Sequence, residues 1–169
     1  IHSDDQLIYP NIITEVYPLL IKEQFDINGF PVILEHPTNG RVLLKPKRPI
    51  VWHHFKTIFL HQGTFVHKRV FDRIGGFREQ FSIALDYDFF YRALMARSKT
   101  KFGNQPIALM GGKGISSASE FLAKRLHEED LVRKLNENNL LWRIVQLLFQ
   151  ALYFPYKMHL SRKLSSPSK

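Results

Sequence analysis

The 169-residue chain has no cysteine. That excludes disulfide scaffolds, thiolate zinc sites, iron–sulfur clusters and cysteine nucleophiles, so any chemistry must come from oxygen and nitrogen groups, with the cytosol as the default compartment. No stretch reaches the roughly 18 uninterrupted apolar residues that a spanning helix needs. Gly and Pro stand at nine each, which sets aside collagen-like and low-complexity readings, and no internal repeat is visible. From Leu140 onward there is no acidic residue at all. What remains is 44% hydrophobic and 13% aromatic, with 14 Phe, enough for one well-packed core. The first residue is Ile, and the expectation is a sequence that begins inside a longer protein or whose start has been removed.

Lys plus Arg number 24 against 15 Asp plus Glu, a formal charge of +9 that favours an anionic partner: nucleic acid, acidic lipid or a phosphorylated substrate. The excess is uneven. Residues 1–50 carry a net −1, residues 51–120 a net +5 and residues 121–169 a net +5.

Apolar residues at Ile12, Ile13, Val16, Leu19 and Leu20 recur at helical spacing, which predicts a helix over residues 10–23 with Pro10 in its first turn. Residues 31–34 and 41–44 are β-prone and flank Asn39-Gly40, a hairpin signature expected at a sheet edge. Residues 57–60 and 64–66 read as buried strand pieces, and residues 68–74 as two helical turns stopped by Gly75-Gly76. A further helix follows Asp86. Residues 105–110 read as a strand ending in Gly111-Gly112, and Ser117 with Glu120 has the spacing of a capping box that opens a helix to about Leu135. Alternating helices and short strands predict an α/β layer architecture with part of the sheet missing.

Two constellations could carry chemistry. Ser3-Asp4-Asp5 places adjacent carboxylates before the first helix, read as lying at a strand's carboxyl end, where open α/β sheets put their ligands. Oxygen ligands there suit Mg²⁺ or Mn²⁺, which can bridge a diphosphate and neutralise the charge of a leaving phosphate. The plain alternative is a helix-entry cap. The second set comprises His61-Gln62-Gly63-Thr64-Phe65, then Gly75-Gly76-Phe77, then Leu85-Asp86-Tyr87-Asp88. Asp86 falls at a helix start, where backbone N–H groups stabilise a fixed carboxylate suited to a general base. The plain alternative makes Asp86 an N-cap and pairs Asp88 with Arg92 at i, i+4. Of the histidines, His61 reads equally well as part of an acceptor-side strand or as a hydrogen-bonded core residue. Zinc is set aside, because the neighbours His53 and His54 are expected to point to different sides and no His-Glu-x-x-His spacing occurs.

The ordered set resembles the second half of a family-2 glycosyltransferase of GT-A fold, over about residues 1–120. In that family an Asn-Ser-Asp-Asp-like segment is the metal-binding DXD-type element, here Ser3-Asp4-Asp5 with His2 where Asn is more usual. A stretch like His61-Gln62-Gly63-Thr64-Phe65 normally precedes a Gly-Gly-Phe-x-Glu segment, here Gly75-Gly76-Phe77-Arg78-Glu79. An acidic-Asp pair before aromatic-Asp supplies the catalytic base. Here it reads Leu85-Asp86-Tyr87-Asp88, with Leu85 in place of the first acid as in some members. Gly111-Gly112 with Ser116 resembles the loop near donor phosphates or acceptor. The resemblance implies a partial, Rossmann-like GT-A fold lacking its amino-terminal nucleotide-binding half. It implies Asp86 as catalytic base, Asp4 and Asp5 as ligands of Mn²⁺ or Mg²⁺, and Ser3, His61, Gln62, Gly75, Gly76, Asp88, Gly111 and Gly112 around donor and acceptor. The implied activity is inverting transfer from a nucleotide-sugar donor to a glycan or lipid-linked acceptor, during polysaccharide or glycolipid assembly.

Residues 121–160 are expected to form carboxyl-terminal helices and residues 161–169 a disordered basic tail. From Asn139 the polar positions Asn139, Arg143, Gln146, Gln150 and Lys157 trace one narrow stripe in an otherwise apolar helix that Pro155 should end or bend. With basic residues following, that helix suits the interface of an anionic membrane, at the inner face of the cell membrane. The alternative buries it against the missing half or in a dimer. A non-catalytic remnant that binds protein or membrane is the competing function. Nucleic-acid binding is set aside, since no recognised motif accompanies the charge.

Overall fold

The computed structural model describes residues 5–22, 24–36, 40–111 and 121–165. Among them the chain is mixed α/β, with five α-helices and two mixed sheets. The first sheet has four strands in the order β1 (Gln6–Leu7), β7 (Ala108–Gly111), β3 (Val32–His36), β4 (Gly40–Leu44). The second has three, in the order β5 (Thr64–Val66), β2 (Ile27–Gly29), β6 (Thr100–Phe102). Each sheet holds one parallel pair, β3 with β7 and β2 with β6, beside antiparallel neighbours.

The two strands of the expected hairpin pair, while Asn39 of its turn lies outside the described residues. Strands β3 and β4 pair in register from Val32 opposite Leu44 to His36 opposite Gly40, and β4 is the edge. Residues 57–60 are not a strand. Ile58 and Phe59 are buried there in irregular backbone, tied by the Lys47 N–H to the Ile58 carbonyl and by the Thr57 hydroxyl to the Phe59 carbonyl. Burial, not pairing, produced their strand-like apolar signal. Strands β2 and β6, three residues each, carry no alternation long enough to be read.

Helices α1 (Ile12–Lys22), α2 (Lys68–Ile74) and α3 (Leu85–Met95) fall where periodicity places them. Helix α4 spans Leu122–Asn136, and the predicted capping box at Ser117 and Glu120 lies outside the described residues. Helix α5 spans Leu140–Ser165. Asn139 opens it, its Oδ1 accepting from the N–H of Leu141 at 2.9 Å and of Trp142 at 3.2 Å. Pro155, expected to end or bend α5, does not end it: the helix continues to Ser165, into the segment read as a disordered tail. A proline removes one helical N–H bond, and the turns on either side retain theirs.

Three apolar clusters organise the molecule. Ile12 and Val16 of α1 pack with Phe30, Val32, Ile107 and Ala108 on the first sheet. Ile27, Phe59, Val70 and Phe89 fill the space between the second sheet and helices α2 and α3. Tyr87, Tyr91 and Val132 join α3 to α4. Helix α3 belongs to two of these clusters, which fixes the residues at its amino end.

Candidate functional site

The segment entering α3 is held by one carboxylate. Glu128 of α4 accepts the backbone N–H of Ser82 (3.1 Å), Ile83 (2.7 Å) and Ala84 (2.9 Å), and the Ser82 hydroxyl at 2.8 Å. Burial alone would push the Glu128 carboxyl up, but those donors outweigh it and hold it below the ordinary value. The amides of the segment leading into α3 are thus satisfied from a neighbouring helix. Ala84 is the N-cap, and Asp86 is the second helical residue.

Asp86 turns toward the second 3-10 turn, His61–Gly63. His61 Nδ1 lies 3.8 Å from Asp86 Oδ2, with the two side chains 44% and 25% exposed. Burial pushes the Asp86 carboxyl above the ordinary carboxylate range, offset in part by the charge of His61 and by the N–H of Tyr87, which donates to Oδ1 at 2.7 Å. A half-sheltered carboxylate with a raised proton affinity beside an imidazole suits proton abstraction.

The turn carrying His61 is fixed by its glycine. Gly63 donates its N–H to the Leu60 carbonyl, and its own carbonyl accepts from Phe30 N–H at 2.7 Å. A side chain there would meet the Phe30 carbonyl oxygen at 2.5 Å, so backbone approaches backbone where only glycine fits. Thr64 closes the turn through its hydroxyl to the Leu60 carbonyl at 2.7 Å, and Gln62 is half-buried beside it. The turn packs on β7.

Asp88 belongs elsewhere. It is fully buried, and its carboxylate meets Arg92 Nε at 2.9 Å, Arg78 Nη1 at 3.2 Å and Asn136 Nδ2 at 2.9 Å. Arg92 reaches on to the carbonyls of Ile74 (2.6 Å) and Gly76 (2.7 Å). The i, i+4 pair thereby ties the Gly75-Gly76 turn to α3, and Asp88 acts as the joint between α2, α3 and α4. Gly75 itself has φ +78° and caps α2, its N–H donating to the Phe71 carbonyl.

Asp5 is buried and stands just before the amino end of β1, and the residues preceding it lie outside the described ones. Because β1 runs antiparallel to β7, with Gln6 opposite Leu109, Asp5 comes level with Met110 near the carboxyl end of β7. Gly111 ends that strand, while Ser3, Asp4 and Gly112 lie outside the described residues. Among the described residues no three carboxylate or imidazole groups gather as a metal site. Asp4, the other carboxylate implied as a ligand, lies outside the described residues, and no step below is routed through a metal ion.

Sequence reasoning missed a second polar cluster. Glu137 Oε2 accepts from Tyr91 Oη at 2.7 Å and lies 2.7 Å from His54 Nδ1, while Gln146 Nε2 donates to the His54 carbonyl and to Tyr91 Oη. His54 stacks on Trp142 with centroids 4.0 Å apart. His53 and His54 do not point to opposite sides: their rings lie 4.0 Å apart, and both approach the Tyr91 ring, at 5.3 Å and 6.0 Å. His67 caps α2, accepting the Arg69 N–H.

A shallow groove lined by Arg48, Ile50, Lys101 and Phe102 lies along β6, the edge of the second sheet opposite β5 and the His61 turn. Among the described residues no helix is long and apolar enough to cross a membrane. Compared with protein-family models, curated proteins and solved structures, the chain matches none.

Proposed function

We propose that the chain is the acceptor-side portion of an inverting glycosyltransferase of GT-A type, with Asp86 as its catalytic base. The observation that carries this reading is the meeting of His61 and Asp86, which come from two separate motifs of the ordered set and stand 3.8 Å apart at a partly open surface. In the proposed step, Asp86 removes the proton of an acceptor hydroxyl. The resulting oxygen attacks the anomeric carbon as the bond to the nucleoside diphosphate breaks, and the diphosphate departs with inversion. His61 positions and tunes the carboxylate: its charge favours the ionised form that burial disfavours. Gly75-Gly76, held by Arg92, and Gly111 at the end of β7 would border the acceptor and donor. The placement of Asp5 near the carboxyl end of β7 accords with the expected location of a diphosphate-binding acid.

The test is release of nucleoside diphosphate from a panel of nucleotide sugars, in the presence of Mn²⁺ or Mg²⁺, by the full-length protein. Turnover that Asp86→Asn removes supports the reading. Turnover that survives this change would give Asp86 a non-catalytic role, and absence of both turnover and nucleotide binding by calorimetry would leave the chain a non-catalytic binding module.

A further inference from the structure

Helix α5 is built inside out. Its body-facing side consists of Trp142 stacked on His54, Phe149 against Phe55, and Gln146, the most buried residue described in the helix, bonded to the His54 carbonyl. Its outward side is leucine: Leu140 is 72% exposed, Leu148 63% and Leu152 76%, with Ile144 and Leu147 between them. At 3.6 residues per turn these positions share one broad face, the reverse of a surface helix that shows polar residues to water. Of the polar stripe read in the sequence, Gln146 is spent on the protein side while Arg143 stays exposed, and an apolar face from Leu140 to Leu152, about three and a half turns long, is left without a protein partner among the described residues.

Charge selects the occupant. From Leu140 to the end of the chain there is no Asp or Glu, while Arg143, Lys157, Arg162, Lys163 and Lys169 are cationic. A second copy docked face to face would bring two such helices together with no acid to pair them. A bilayer carrying anionic headgroups satisfies both features, taking the leucines among its acyl chains and the cations at its phosphates. Spanning is not what this helix is built for, since Arg143 and the glutamines interrupt it and, although 26 residues long, it is not apolar enough to cross. We infer that α5 lies in the plane of an anionic membrane surface with Leu140, Ile144, Leu148 and Leu152 inserted. This inference is independent of the transferase reading.

Co-sedimentation of the full chain with vesicles tests it. Vesicles of phosphatidylcholine containing about 30% phosphatidylglycerol are expected to bind at least ~10-fold more tightly than phosphatidylcholine alone, and binding should weaken with salt. The double substitution Leu148→Glu with Leu152→Glu is expected to lose at least ~10-fold in affinity while the circular dichroism spectrum stays unchanged, because both side chains are exposed. Arg143→Glu should weaken binding to the anionic vesicles alone. Failure to sediment with anionic vesicles, equal binding to neutral ones, or binding indifferent to the leucine changes would each overturn the inference. A dimer in solution that the same leucine changes dissolve, without vesicle binding, would overturn it in favour of a second copy.

Discussion

His61 Nδ1 stands 3.8 Å from Asp86 Oδ2, joining a 3-10 turn fixed on β7 to the first turn of α3. Asp86 is not the N-cap of α3: its Oδ1 accepts the Tyr87 N–H at 2.7 Å, and its Oδ2 faces the imidazole.

Asp86→Asn separates function from stability. On the proposed reading of Asp86 as the base, its loss is expected to lower turnover by about 10²-fold or more. Stability should move the other way. Burial raises the folded-state pKa of Asp86 above its unfolded value, so the native state binds more protons in that window and stability falls as pH rises through it. At pH 7 the ionised carboxylate therefore opposes folding, and the asparagine variant should melt at a higher temperature, with the difference vanishing below the unfolded pKa. A lower melting temperature at pH 7 would contradict this.

For the wild type, the acid limb of the pH–rate profile should lie above the ordinary carboxylate value, since the base must be ionised to act. Neutralising the imidazole by His61→Gln removes the charge that favours the ionised form, and should move that limb further upward. A profile insensitive to His61→Gln would show that the imidazole does not tune Asp86.

Asp88 should respond in the opposite sense to Asp86. It is fully buried between Arg92, Arg78 and Asn136. Asp88→Ala leaves Arg92 largely buried without its counter-ion, at a cost of about 3–5 kcal/mol. Urea unfolding should show a lowered midpoint, and restoring turnover by low temperature or osmolyte would assign the loss to folding rather than chemistry.

At Gly75, φ +78° and open space around the α-carbon make the backbone, not packing, the constraint. Gly75→Ala is expected to cost about 1–3 kcal/mol, read from chemical denaturation, whereas Gly76→Ala, whose φ is unexceptional and whose surroundings are also open, should be nearly neutral. Equal costs at both positions would remove the conformational explanation.

What could be read from the chain and what could not divides by range. The Asn39-Gly40 hairpin, the exact span of α2 and the i, i+4 pair of Asp88 and Arg92 are local, and each depends on residues within a few positions. The meeting of His61 with Asp86 was not legible in the sequence, since spacing gives no distance. Glu128 reaching 44 residues back to Ala84, and Glu137 reaching 83 back to His54, leave no local trace at all. Ile58 and Phe59 show the converse error, where strong burial imitates a strand. The outward leucines of α5 were visible as composition, but their direction depended on His54 and Phe55, which draw Trp142, Gln146 and Phe149 to the protein side.

Glu128 joins the architecture to the site. Three backbone amides of the segment leading into α3 depend on its carboxylate, and no other group described there accepts them. Its folded-state pKa is held below the unfolded value, so its contribution to stability is present above the unfolded pKa and lost as pH falls through the folded one. Glu128→Ala leaves Ser82, Ile83 and Ala84 without an acceptor and is expected to cost about 1–3 kcal/mol. It should also shift the start of α3 by enough to move Asp86 away from His61, so that turnover falls more than the folded fraction does. Hydrogen exchange at Ile83 and Ala84 distinguishes the two effects: both amides should exchange faster in the variant while those of Tyr91 and Ala93, deeper in α3, keep their protection. Unchanged exchange at Ala84 would mean that the loop is held by something other than this carboxylate.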